Sequence, residues 1–116
     1  MSRHEPQVRL QHMLEYAREA TALMHGKTRP DLDSDRALGL ATLRCLEIVG
    51  EAAVHVPESI RQQHPNIPWS AIISTRNRLV HGYDLVDYDI IWSTITEDLP
   101  ALIAELQKIV STGGQP

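Results

Sequence analysis

The densest set of chemically capable side chains is the run Arg76-Asn77-Arg78-Leu79-Val80-His81-Gly82-Tyr83. A cation, an imidazole and a phenol stand together without a neighbouring cysteine nucleophile or carboxylate pair. That combination suits phosphodiester chemistry on RNA, which carries its own nucleophile in the 2′-hydroxyl. Such a reaction needs proton transfer at the reacting oxygens and a cation for the charge that develops on the phosphorane. Histidine supplies the first and arginine the second, with no metal required.

Spacing sets what the run can do. On a continuing helix, Arg76 and Tyr83 are separated by about 700° and share a face, whereas His81 lies roughly 140° from Arg76. Arginine is long, and Gly82 lets the chain turn directly after the histidine. A helix C-terminus also favours imidazolium there. One chain offers a single such histidine, so a dimer with two facing motifs would supply an acid, a base and two guanidinium pairs. The same residues also suit a plain polar helix end, with Tyr83 packed on the core and His81 capping.

The elements that must position these residues read as helices. The third helix is expected from Trp69 to about His81, with Pro68 at its start and Gly82 as the left-handed residue past its end. Its core side would hold Trp69, Ile72, Ile73, Leu79 and Val80. The first helix is expected over about Gln7 to His25, on a stripe of Val8, Leu10, Met13, Leu14, Ala17 and Met24 that Gly26 stops. Lys27 to Leu32 reads as a linker. Asp33 or Ser34 would then cap a second helix reaching about Val56. That helix is apolar on most sides, and Arg36, Arg44, Glu47, Glu51 and His55 form a narrow polar line. Two packing partners are implied, a neighbouring helix and a dimer mate. Gly39 and Gly50 would each weaken it by about 1 kcal/mol relative to Ala, so close helix approach is expected at both. Glu58 to Gln63 adds a helical turn. Asp87 caps the last helix, with Asp89 in its first turn and Ile90, Ile91, Ile95, Leu99, Leu102, Ile103, Leu106, Ile109 and Val110 on its core face. Pro100 should bend or divide it. The expected fold is all-α, a four- to five-helix bundle: one domain over residues 1–112, then a frayed tail over 113–116.

Composition agrees. The 116 residues include no Phe, two Trp and three Tyr, a balance that suits aliphatic helix packing over a β-sandwich. No apolar run approaches a membrane span, and the first residues show no signal-peptide pattern. A single cysteine, Cys45, makes no internal disulfide and is expected to be a small buried thiol in a cytoplasmic protein. His4, His12, His25, His55 and His64 lack metal-ligand spacing, so no metal and no cofactor are expected. The net charge of −4 argues against a general nucleic-acid coat. Its distribution still leaves a local basic zone: residues 61–83 hold Arg61, Arg76 and Arg78 and no acid, and residues 84–105 hold six acids and no Lys or Arg. Glu47 and Glu51 are either a solvated stripe or carboxylates fixing Arg76 or Arg78. Arg78 is either a phosphate contact or an ion-pair partner of the acids after Tyr83.

Arg76-x4-His81-x-Tyr83 resembles the signature of HEPN-domain ribonucleases, and the wider sequence resembles the HepT toxin family. Leu46-Glu47-Ile48-Val49-Gly50-Glu51-Ala52-Ala53 is similar to that family's Glu-Ile-Ile-Gly-Glu-Ala segment, and Ile67-Pro68-Trp69 to its Pro-Trp lead into the motif helix. Val86-Asp87, Ile91-Trp92 and Asp98-Leu99-Pro100 follow in the family's order. Thr75 and Asp84 depart from it, standing where more apolar residues are expected. The resemblance implies a homodimeric HEPN-like toxin of a type VII-like toxin–antitoxin system, whose paired motifs form one RNase site between protomers. It also implies an MntA-type nucleotidyltransferase antitoxin that transfers AMP onto the motif tyrosine, here Tyr83. By the same carry-over Arg76 stabilises the phosphate, His81 handles protons, Asn77 orients the site and Arg78 and Tyr83 support RNA binding. Transfer RNA and messenger RNA both fit as substrates. A second reading keeps the partner but drops catalysis, leaving a binding module whose job is to be the nucleotidyltransferase's substrate. Simple nucleotide binding is disfavoured by the lack of a Gly-rich phosphate loop.

Overall fold

The computed structural model describes residues 5–113. Helix α1 (Glu5–Met24) is followed by a short α2 (Asp31–Ser34), then α3 (Arg36–Val54), α4 (Glu58–Gln63) and α5 (Trp69–Arg78). A two-stranded antiparallel hairpin, β1 (Val80–His81) and β2 (Leu85–Val86), leads into α6 (Tyr88–Ser93). A π-turn over Thr94–Asp98 then joins α6 to α7 (Leu99–Gly113). Helix α1 lies along α3 and α7, and α3 packs on α5, giving a body of 47 × 30 × 22 Å.

The apolar stripes explain that packing. Leu10, Met13, Leu14, Ala17, Ala20 and Met24 of α1 are buried against Leu38, Leu46, Val49 and Ala53 of α3 and Leu99, Leu102 and Leu106 of α7. Val8, expected on the α1 stripe, is exposed. Cys45 is buried, and burial pushes its thiol up to about 11, with the Glu19 charge adding to the shift.

Several local expectations need correction. Helix α2 begins inside the expected linker, because the Thr28 N–H and hydroxyl both donate to the Asp31 carboxylate at 2.6 and 3.1 Å and start a turn there. The cap of α3 is therefore Asp35, whose Oδ1 accepts from the Leu38 N–H at 3.1 Å; Asp33 and Ser34 belong to α2. The helix ends at Val54, and Arg61 closes it by donating to the carbonyls of Ala53, Val54 and Val56 at 3.0–3.2 Å. Arg61 is thereby committed to structure and leaves the basic zone to Arg76 and Arg78. Trp69 Nε1 donates to the carbonyls of Arg61 and His64, which ties α4 to the start of α5. Pro100 sits in the first turn of α7, where its ring would collide with the Thr96 carbonyl of a regular helix. The π-turn removes that collision by widening the chain there, and the Leu99 N–H bonds to the Thr94 carbonyl, five residues back. Helix α7 runs one residue into the expected tail, to Gly113; residues 114–116 and His4 lie outside the described residues.

Candidate active site

The largest departure from expectation falls on the motif itself. Helix α5 stops at Arg78 instead of reaching His81. Leu79 keeps helical angles and is fully buried, and its carbonyl accepts from the Asp87 N–H at 2.8 Å. From there β-branched Val80 pairs with Val86, and His81 with Leu85. Gly82, at φ +69°, supplies the left-handed residue of the three-residue loop Gly82-Tyr83-Asp84. Gly82 thus has the expected conformation in a different setting, a hairpin tip in place of a helix end.

This hairpin redistributes the motif. Arg76 is half-buried on the last turn of α5. Its aliphatic stem crosses α3 at Gly50, where an added Cβ would fall on Arg76 Cβ and 2.7 Å from its Cγ. Asn77 and Arg78 are exposed. Tyr83 stands at the hairpin tip with 93% of its surface open, so it is not packed on the core. His81 is 60% exposed, and its Nε2 lies 3.1 Å from Asp87 Oδ2. Among the described residues this is the one side-chain bond of the motif; neither the Arg76 nor the Arg78 guanidinium is bonded to a described residue.

Asp87 carries two jobs with two oxygens. Oδ1 accepts from the Ile90 N–H at 3.1 Å and caps α6, as expected, while Oδ2 faces His81. The His81 hydrogen bond, followed by that from Ile90, holds the Asp87 carboxyl below its usual range. Reading along the chain finds the cap but misses the histidine contact. The signal that could have found it is Val-His-Gly-x-x-x-Val-Asp, which places residue 87 across a tight hairpin from residue 81.

Glu47 and Glu51 both lie beside Arg44 on their own helix, at 3.6 and 3.4 Å, and neither bonds to Arg76 or Arg78 among the described residues. Asp89 pairs with Arg29 at 2.8 Å, and among the described residues Arg78 forms no ion pair with the acids after Tyr83. Gly39 accommodates Tyr88, whose ring lies 2.8 Å from where a Cβ would be; Tyr88 is half-buried there. Beside Arg76 lies a cavity of about 460 Å³, lined by Leu46, Val49, Ile72, Leu99 and Leu102 with Glu97 and Asp98. Its apolar walls and its three acids, Glu97, Asp98 and Glu105, make it a poor seat for a phosphate. Arg76 lines one edge of this cavity, whereas His81 and Tyr83 stand on the exposed hairpin. Among the described residues no three His, Cys, Asp or Glu side chains group as metal ligands would, and no helix is long and apolar enough to cross a membrane.

A family model described as Ribonuclease HepT-like matches residues 13–109, which include the motif and Asp87. A protein of Thermococcus cleftensis named "Probable ribonuclease HepT" is 36% identical over 100 residues, covering 83% of this chain and 91% of the relative. A candidate RNase of Caldanaerobacter subterraneus is 34% identical over 105 residues, covering 90% of this chain and 94% of the relative. A candidate RNase of Methanocaldococcus jannaschii is 32% identical over 98 residues, covering 84% and 81%. No solved structure matches the chain. The helical fold, the order of the sequence blocks and a match running from α1 into α7 agree: the chain belongs to the HepT-like ribonuclease family.

Proposed function

We propose that this chain is a cytoplasmic toxin that cleaves transfer or messenger RNA without a metal, as a homodimer. The observation that carries the reading is the hairpin after α5, which puts His81 and Tyr83 in solvent just past two arginines, Arg76 and Arg78, that have no ion-pair partner among the described residues. The RNA 2′-oxygen attacks the adjacent phosphorus, forming the 2′-O–P bond while the P–O5′ bond breaks. One His81 takes the 2′-hydroxyl proton and a second, from the other protomer, gives a proton to the leaving 5′-oxygen. The Arg76 side chains offset the charge on the phosphorane. A single chain has one such histidine, which is the argument for a site composed from two copies. Asn77 orients the site, and Glu47 and Glu51 hold the polar line of α3 beside it.

The same exposure makes Tyr83 the point of control. A nucleotidyltransferase antitoxin of the MntA type transfers AMP from ATP to the Tyr83 oxygen, releasing pyrophosphate. Bulky anionic groups at both hairpin tips then repel RNA from the cleft. The exposed hydroxyl also favours a second reading, a non-catalytic module that serves as that enzyme's substrate and partner.

The test is RNA cleavage by the purified chain in EDTA, with Arg76→Ala and His81→Ala as controls, followed by intact mass after incubation with the nucleotidyltransferase and ATP. Cleavage that both variants lose, and a gain of about 329 Da per AMP on Tyr83, is the expected result. Full cleavage by folded variants would overturn the mechanism. An adduct without any cleavage would select the binding-module reading.

A further inference from the structure

We infer that Asp87 is a positioning residue that holds the His81 ring as its Nε2–H tautomer and makes Nδ1 the atom that moves the proton. The inference rests on the ribonuclease reading for its catalytic part; the ring's tautomer stands on the geometry alone.

An ionised carboxylate only accepts hydrogen bonds. With Asp87 Oδ2 at 3.1 Å from Nε2, the hydrogen of a neutral imidazole must reside on Nε2. The lone pair is then on Nδ1, the ring nitrogen that Asp87 does not engage. The 60% exposure of His81 leaves the side chain open to an incoming 2′-hydroxyl. When Nδ1 takes that proton, Asp87 faces an imidazolium without any rearrangement.

Asp87 is well placed to fix a ring that is otherwise on an open hairpin. Its N–H donates to the Leu79 carbonyl at 2.8 Å, its Oδ1 accepts from the Ile90 N–H, and its neighbour Val86 pairs with Val80. The carboxylate is thus anchored to the end of α5 and the start of α6 at once. A two-residue ladder has little stability of its own, so these anchors define where His81 points.

Two variants separate this role from helix capping. Asp87→Asn keeps a cap oxygen but can present its amide N–H to Nε2, which favours hydrogen on Nδ1 instead. Asp87→Ser keeps a capping oxygen and is too short to reach the ring. Long-range ¹H–¹⁵N spectra of the full chain near neutral pH should show a protonated Nε2 and an unprotonated Nδ1 on His81 in the parent. The assignment should reverse in Asp87→Asn and lose its preference in Asp87→Ser. In RNA cleavage both folded variants should lose kcat by about tenfold or more, within the roughly 100- to 10,000-fold that acid–base catalysis contributes, with KM little changed. A parent ring protonated on Nδ1, or unchanged kcat in both folded variants, overturns the inference. If His81→Ala itself cleaves normally, the ribonuclease reading falls instead, and the parent spectrum still decides whether Asp87 holds the ring.

Discussion

Arg76 lies across α3 at the one position of that contact without a side chain, Gly50. A Cβ there would come within 2.7 Å of Arg76 Cγ and 3.1 Å of Cδ, with Arg76 Cβ nearer still. The nearest atom is fixed to the α5 backbone and cannot swing aside, so a methyl group must push the two helices apart. Gly50→Ala gains about 1 kcal/mol of helix propensity, against an overpacking cost of roughly 1–3 kcal/mol. A lower melting temperature and weaker RNA cleavage are expected, because the Arg76 stem shifts with α5. Gly39→Ala meets the far end of the Tyr88 ring, which can pivot, and should cost less in both measurements.

Arg78 is exposed and forms no ion pair among the described residues; of the acids after Tyr83, Asp87 faces His81 and Asp89 pairs with Arg29. A free guanidinium beside the motif is available to an RNA phosphate. Arg78→Ala should therefore raise KM with a smaller change in kcat, and should flatten the salt dependence of RNA binding by about one unit of slope. Titrations of RNA binding at several salt concentrations check this; an unchanged slope would remove Arg78 from the interface.

The helices were legible from the sequence because each long one carries a full apolar stripe with a recognisable stop. The motif's surroundings were not. Val80 continues the apolar side of α5 and so extends the expected helix to His81, whereas the Leu79–Asp87 and Val80–Val86 pairings draw the chain into a hairpin. Strands of two residues show no periodicity of their own. Contacts between residues distant in sequence were equally hidden. Arg61 reads as part of a basic zone and caps α3, and Asp87 reads as a helix cap and also holds His81. Gly39 and Gly50 were legible as close approaches, but only the structure shows what approaches them, Tyr88 in one case and Arg76 in the other.

Acid should loosen the end of the molecule that carries the motif. Hydrogen bonds from His81 and the Ile90 N–H lower the Asp87 carboxyl from its ordinary 3.8, and the Thr28 N–H and hydroxyl lower Asp31 likewise. A carboxyl with a depressed native pKa contributes stability above its unfolded-state value and loses it as pH falls through the native value. Stability should therefore be level above about pH 5 and decline below about pH 4. Asp87→Ser should remove part of that decline and Asp31→Ala another part. Urea melts between neutral pH and pH 3 measure both, and an undiminished decline in the double variant would show that other carboxyls carry it.

Tyr83 makes the last contrast, between a residue the fold needs and one that it only displays. With 93% of its surface exposed at the tip of the hairpin, its ring contributes little packing, and surface changes of this kind stay within about 0.5 kcal/mol. Tyr83→Phe removes only the hydroxyl, the atom that would receive AMP. The variant should melt with the parent and retain RNA cleavage, but gain no mass from the nucleotidyltransferase and ATP and so escape inhibition. Loss of cleavage in a folded Tyr83→Phe chain would place the hydroxyl in the reaction itself. An adduct on the variant would move the modification to another side chain, and the control of the site by Tyr83 would be lost with it.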